Sequence, residues 1–314
     1  MTYEFYRWKW DNYPKLRIID RIPTHLDLEL VAGRCNCKCA FCELTYNPPK
    51  AMNMPFEMVK KIIDEFTEKG GSSIKFVYLG EPCLYKHLAE VIFYAKQKGV
   101  IDTIIATNAG LLTKELSVNL IRAGLDWITY SVDSCKPEIY KQIRVNGNLN
   151  VVSENIKKFH RIRYALQYGK DSKKPKIVIQ IIKMDLNEKE IESGEFEKFW
   201  KPYVDEISIS TLVDYHSSEN NIKESPNFCC TSPFRRLTIR ANGDFAVCCG
   251  QRLDAKIIGN INEISIEEAW NGDKFNEIRD LMKEGKAHLI DICRNCPTRL
   301  IDMQGVERFE KIKG

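Results

Sequence analysis

Apolar residues between positions 26 and 212 recur in two alternating patterns. Short runs rich in β-branched and aromatic residues read as strands, and longer stretches with one apolar face read as helices. Six strands are predicted at about 26–32 (LDLELVA), 74–79 (IKFVYL), 101–106 (IDTIIA), 126–132 (DWITYSV), 176–182 (KIVIQII) and 205–211 (DEISIST). The stretch before the second strand shows how the helices are read. Pro55 suits a first helical position, Phe56, Val59, Ile62, Ile63 and Phe66 mark one apolar face, and Gly70-Gly71 stops it. Comparable patterns fill about 84–98, 113–123, 151–167 and 189–200. Strands alternating with helices form βα units around a mostly parallel sheet, as an incomplete barrel or an open α/β sheet. Both architectures gather their working residues at the carboxyl ends of the strands.

After residue 212 the pattern changes. Positions 213–227 are polar (DYHSSENNIKESPN and neighbours) and read as a linker, and a second module starts near 228. Within it, RRLTIRANGDFAVCC alternates on both sides of Asn242-Gly243, the pair favoured in a two-residue primed turn. Pairing Ala241 with Asp244 puts Cys248 opposite Leu237, and a bend at Pro233 returns Cys230 to the same end of the hairpin. Short helices follow at about 265–271 and 274–284, then Cys293-x2-Cys296. The expected layout is an N-terminal extension over 1–25, a barrel over 26–212, the linker, a module over 228–297, and a tail of helical pattern over 298–314. The aromatic extension, with Trp8 and Trp10, is expected to pack across the barrel.

Composition narrows the function. A chain of 314 residues with 44% hydrophobic and 29% charged positions folds rather than staying disordered. Lys+Arg 47 against Asp+Glu 43 leaves a formal charge of +4 without a basic cluster, so no nucleic-acid partner is expected. The N-terminus lacks the apolar region of an export signal, and runs such as Ile177–Ile182 are far below membrane-spanning length. The expected location is cytoplasmic, with no membrane partner. In a reducing compartment, cysteines are kept for metal binding or catalysis more often than for disulfides. The twelve here cluster, at Cys35, Cys37, Cys39 and Cys42 and again at Cys229, Cys230, Cys248, Cys249, Cys293 and Cys296, with Cys83 and Cys135 isolated.

Cys35-x3-Cys39-x2-Cys42 offers three thiolates within one loop, enough for three corners of an iron–sulfur cube whose fourth iron stays open to a small molecule. A zinc site with Cys37 as fourth thiolate is the alternative, although Cys-x-Cys-x-Cys is cramped for a closed tetrahedron. The spacing, with Phe41 before the last cysteine, resembles the signature of the radical S-adenosylmethionine (SAM) superfamily. That resemblance implies a partial (β/α)6 TIM-like barrel and a 4Fe-4S cluster whose open iron is chelated by SAM. It further implies reductive cleavage of SAM to a 5'-deoxyadenosyl radical that removes a hydrogen atom from substrate. Gly80-Glu81-Pro82 resembles the family's GGEP element, with Leu79 in place of the first glycine. Thr107-Asn108, Ser131 and Asp133 occupy the positions of SAM contacts, Arg144 is a candidate carboxylate partner, and Gln180 interrupts an apolar strand where SAM or substrate can bond it. Cys37 is extra to the signature.

Cys230-x12-Gly243-x4-Cys248 followed by Cys293-x2-Cys296 resembles the Twitch module, a reduced SPASM domain. This implies one auxiliary 4Fe-4S cluster held by four thiolates and suited to electron transfer; a zinc site fits the spacing equally. Glu29 and Lys183 are further residues that could reach a substrate, and the five histidines share no ligand spacing. The expected protein is a radical SAM enzyme acting on a small polar molecule such as a sugar, nucleotide sugar or aminocyclitol. A flavodoxin- or ferredoxin-type donor would reduce it. Oxidation with the auxiliary cluster as electron acceptor leads, and epimerisation with Cys249 or Cys135 as hydrogen-atom donor is the alternative. A peptide substrate, or a zinc-binding adaptor using Cys37, are the other readings.

Overall fold

The computed structural model describes residues 1–167, 174–212, 229–248, 250, 255–294 and 296. Cys249, the 213–227 linker and the 298–314 tail lie outside the described residues. Six parallel strands, β1 (His25–Leu28), β2 (Ser73–Lys75), β3 (Asp102–Thr107), β4 (Trp127–Ser131), β5 (Lys176–Lys183) and β6 (Glu206–Thr211), stand side by side in chain order. The sheet continues past β1 into β7 (Arg236–Ile239), β8 (Asp244–Ala246) and β9 (Ile257–Asn260), giving the order β6-β5-β4-β3-β2-β1-β7-β8-β9. It is a mixed α/β fold with an incomplete barrel and a small cysteine-bearing module.

Helices α1 (Tyr3–Leu16), α2 (Phe56–Glu68), α3 (Leu88–Gln97), α4 (Lys114–Arg122), α5 (Pro137–Ile143) and α6 (Leu149–Gln167) accompany the first five strands. The α2 face read from the sequence is the buried one: Val59, Ile62, Ile63 and Phe66 are fully enclosed. The single helix expected at 189–200 is two, α7 (Glu188–Glu192) and α8 (Glu195–Trp200), because Gly194 between them takes a left-handed φ of +73°. The first strand is shorter than expected. It ends at Leu28, and Val31–Ala32 instead pairs antiparallel with Met52–Asn53, which turns the chain toward the cysteine loop.

The later module is welded to the barrel. β7 pairs in parallel with β1, from His25 with Arg236 to Leu28 with Ile239, so one sheet spans both cysteine groups. The hairpin register differs by one residue from the expected one: Thr238 faces Ala246 and Ile239 faces Phe245. The loop therefore holds three residues, with Gly243 at φ +91°, the left-handed conformation that closes such turns. Its cause is long-range, since the Ala241 N–H donates to Glu29 Oε2 at 3.1 Å. Helices α9 (Ile266–Asn271), α10 (Asp273–Lys283) and α11 (Asp291–Arg294) complete the module.

The N-terminal extension forms α1 at the amino ends of the strands, opposite the cysteine loop. Tyr6 OH donates to Asp102 Oδ2 at 3.1 Å, and the Trp10 ring meets His25 edge-on at 5.2 Å. His25 Nδ1 lies 2.8 Å from Ser73 Oγ, and its Nε2 lies 3.4 Å from Asp27. All three side chains are buried, so this Ser-His-Asp grouping braces the barrel floor.

Candidate active site

The strand ends place the sequence candidates on one rim. Lys38–Cys39 pairs antiparallel with Arg144–Val145, which sets Arg144 against the cysteine loop. Arg144 Nη1 reaches Cys39 Sγ at 3.5 Å and Nε donates to Asp133 Oδ2 at 2.7 Å. Its guanidinium lies 5.7 Å from the centre of the Phe41 ring. Burial opposes the Arg144 charge, but Asp133 and the neighbouring thiols overcome it and raise its pKa. Asp133 is 0% exposed and its other oxygen accepts the Ile182 N–H at 2.9 Å, so the loop after β4, the end of β5 and Cys39 form one braced unit.

Glu81 organises the neighbouring part. Its carboxylate is 2% exposed. It accepts the Thr107 hydroxyl at 2.6 Å, the Cys83 N–H at 3.0 Å and the Asn108 N–H at 3.0 Å. Burial nevertheless raises its pKa. The family resemblance makes this carboxylate a receptor for an ammonium group; the structure directs it to three groups of the protein. Gly80, at φ +86°, brings the chain so close that an added Cβ would stand 2.5 Å from the Val31 carbonyl oxygen. Asn108 Nδ2 then reaches Cys35 Sγ at 3.6 Å and Asn36 Oδ1 at 2.8 Å. Pro82 opens the helical turn Pro82–Leu84 that follows.

The donor set suits a polynuclear cluster. Cys35, Cys39 and Cys42 lie near enough for their charges to affect one another. The Cys37 N–H donates to Cys35 Sγ at 3.4 Å, which stabilises charge on that sulfur, and the Thr45 N–H donates to the Cys42 carbonyl oxygen at 2.9 Å. Hydrogen bonding from Cys37 lowers the Cys35 thiol to about 7, while burial raises Cys39 to about 11 and also raises Cys42. Among the described residues, no three His, Cys, Asp or Glu groups converge as ligands of one metal ion. A cluster spreads its thiolates over separate irons instead. Cys37 is not remote from this nest: it is buried against Cys35, with Asn36 Nδ2 at 3.8 Å from its sulfur.

In the second group, Cys230, Cys248, Cys293 and Cys296 are all partly buried. The Gly250 N–H donates to Cys248 Sγ at 3.2 Å, and the Cys248 carbonyl accepts from Tyr78 OH at 3.2 Å, a bond that ties it to the chain after β2. Cys293 and Cys296 share a turn, with the Cys296 N–H bonded to the Cys293 carbonyl.

Ser131, the last residue of β4, is the register partner of Gln180, one position beyond the level at which Thr107 pairs with Tyr130. The isolated thiols are committed elsewhere. Cys135 Sγ lies 2.9 Å from Glu190 Oε2 on α7, and burial with this carboxylate pushes the thiol up to about 12. Cys83 Sγ lies 3.4 Å from Thr107 Oγ1, and burial holds its pKa well above the ordinary value. Lys183 pairs with Glu188 and the exposed Glu192 at 2.9 Å, and the buried Glu29 accepts from the hairpin. Sequence reasoning missed Asn36 and Asn187. Asn187 Nδ2 bonds the carbonyls of Asp133 and Ile182, both at 2.8 Å, and neither asparagine belongs to a recognisable motif.

An open barrel with a three-thiol loop on its carboxyl rim, joined to a second four-cysteine module, defines an iron–sulfur enzyme class. Residues 30–169 match the radical SAM superfamily, and residues 229–297 match an iron-sulfur cluster-binding domain of the SPASM type. The chain belongs to the radical SAM superfamily and carries a C-terminal SPASM-like domain. Membership implies a 4Fe-4S cluster with SAM, and the second domain an auxiliary iron–sulfur cluster. A probable GTP 3',8-cyclase of Methanococcus maripaludis is 33% identical over 129 residues, 41% of this chain and 43% of that protein. A GTP 3',8-cyclase of Limosilactobacillus fermentum is 31% identical over 152 residues, 47% and 43% of the two chains. The matched stretch thus spans less than half of these cyclases. The fold is shared with BtrN, crystallised with AdoMet and 2-DOIA (19% identity, TM-score 0.59, covering 88% of this chain and 94% of that one). It is also shared with Streptococcus suis SuiB bound to S-adenosylmethionine (17%, 0.66, 87% and 72%). No described helix is long and apolar enough to cross a membrane.

Proposed function

We propose that this enzyme oxidises a small polar substrate, a sugar, nucleotide sugar or aminocyclitol, by hydrogen-atom abstraction. In this reading Cys35, Cys39 and Cys42 hold the SAM-binding cluster and Cys230, Cys248, Cys293 and Cys296 an auxiliary one. Bound there, the first cluster and SAM would supply the radical that takes the hydrogen atom, and the fully ligated second cluster would accept the remaining electron. The chain's own part is positioning. Arg144, held by Asp133, sets a positive charge beside Cys39, and Gly80 and Asn108 shape the rim for SAM while Glu81 locks Thr107 and Asn108 in place. Phe41, Pro82 and Ser131 complete the proposed SAM surroundings, and Gln180 faces SAM or substrate. A flavodoxin- or ferredoxin-type protein is the proposed reductant.

The observation that carries oxidation over epimerisation is the continuous sheet. β1 and β7 are hydrogen-bonded neighbours, so a cluster in the second module would be held in fixed relation to the barrel, as an electron acceptor requires. By contrast, the described thiols outside the two groups, Cys83 and Cys135, are bonded to Thr107 and Glu190. BtrN, matched over 94% of its chain, was crystallised with 2-DOIA, whereas SuiB, matched over 70% of its chain, was also crystallised with its precursor peptide, so a peptide is the competing substrate class. The test is turnover in deuterated water, beginning with 2-DOIA and simple aminated polyols. Oxidation yields a product two hydrogens lighter than the substrate. An isomer carrying one solvent deuterium, lost in Cys249→Ala, would instead establish epimerisation.

A further inference from the structure

The face of β4, β5 and β6 turned away from the helices breaks a rule of parallel sheets. Such sheets are normally covered on both faces, and their strands read as continuous apolar runs. On the helix side the rule holds: Ile128, Tyr130, Ile177, Ile179 and Ile181 are all 0% exposed. On the opposite side the alternate positions carry Trp127, Thr129 and Ser131 on β4, Gln180 on β5, and Ser208 and Ser210 on β6. The register sets Ser131, Gln180 and Ser208 abreast across three strands. Gln180 is exposed although β5 is an interior strand, and its amide nitrogen reaches Ser210 Oγ at 3.5 Å. Val178 and Ile182 alternate with it on the same face.

We propose that Ser208 and Ser210, with Gln180 beside them, form the wall that recognises the hydroxyl groups of a neutral, polyhydroxylated substrate. This rests on the small-polar-substrate reading above and names the residues that select it. Each serine hydroxyl both donates and accepts, as the substrate's hydroxyls do, and the amide adds two donors and an acceptor. Ile182, half-buried on the same face, suits the C–H face of a saturated ring. The row holds no cation, and Lys176 on the same face of β5 is ion-paired with Glu206, whereas a phosphate-bearing substrate would need a free cation for charge-assisted bonds. Among the described residues β6 lies at the sheet's edge; Ser210 Oγ donates to the Ile181 carbonyl at 3.4 Å, which leaves Ser210 as an acceptor for substrate and Ser208 as both donor and acceptor.

The test is equilibrium dialysis of anaerobic, SAM-loaded holoenzyme against myo-inositol, glucose and GTP. Iron content and thermal midpoint verify the fold of each variant. The polyols are expected to bind, and Ser208→Ala/Ser210→Ala to weaken them roughly tenfold or more through two lost hydrogen bonds. Ser208→Thr/Ser210→Thr, which keeps both hydroxyls, should retain most of the affinity. Equal polyol binding by wild type and the alanine variant overturns the wall while leaving the small-substrate reading intact. Binding of GTP but neither polyol overturns both. Binding of none of the three overturns the assignment of this substrate class.

Discussion

Glu81 separates two ways in which one residue can matter to SAM. Its carboxylate holds two buried donors, the Thr107 hydroxyl and the Asn108 N–H, and the half-buried Cys83 N–H. Removing it in Glu81→Ala strands the two buried donors, at about 1–3 kcal/mol each before relaxation, so a loss of roughly 2–6 kcal/mol is expected. Glu81→Gln keeps the shape but turns an amide N–H toward a donor and should cost about 1–3 kcal/mol. The effect must spread to the cluster nest, because the released Asn108 is the residue that reaches Cys35 and Asn36. Urea unfolding of the anaerobic holoenzyme, with SAM affinity measured in parallel, should therefore show both quantities falling together in both variants. A Gln variant that unfolds at the wild-type urea midpoint yet binds SAM a hundredfold more weakly would refute this reasoning. It would mean that the carboxylate acts by touching the cofactor.

Two further outcomes follow from the same structure. Replacing Cys230, Cys248, Cys293 and Cys296 together by alanine should remove the auxiliary iron and leave that of the Cys35 loop; an iron content equal to the parent's would contradict the assignment. His25 is buried and its pKa is lowered by that burial to about 4, from an ordinary value of 6.5. The stabilisation from its neutral form is complete above 6.5 and lost as pH falls through that value toward 4, because the unfolded chain takes the proton first. Between pH 6.5 and 5.5 wild type should lose about 1 kcal/mol in urea unfolding, and His25→Gln should lack this component. Parallel pH slopes for the two proteins would place the titration elsewhere.

The parts of the fold legible in the sequence were those set by local alternation. The α2 face, the six parallel strands and the gathering of Cys35, Glu81, Asn108 and Asp133 at one rim follow from periodicity and strand ends. What escaped depends on distant partners. Asn242-Gly243 reads locally as a two-residue turn, and only the buried Glu29 carboxylate, more than two hundred residues earlier, draws Ala241 into the loop and shifts the register. The pairing of β7 with β1 leaves no local mark, so the second module read as separate although one sheet contains both. Cys135 reads as free on the rim because Glu190, its partner, lies on a helix more than fifty residues further along the chain. The substrate-facing character of Ser208 and Ser210 was hidden for a similar reason. A serine on an edge strand is ordinary until the register shows it beside an exposed glutamine.

The central claim is that three thiols of the first loop, and not the fourth beside them, hold the catalytic cluster. Its most direct test is reductive cleavage of SAM to 5'-deoxyadenosine by single alanine variants of anaerobically reconstituted enzyme. Cys35→Ala, Cys39→Ala and Cys42→Ala should each abolish cleavage, because losing one thiolate opens a second position on the cube. Cys37→Ala should retain it, with at most a modest loss of stability from its buried position. Normal cleavage by Cys39→Ala, or complete loss in Cys37→Ala with iron retained, would contradict the account.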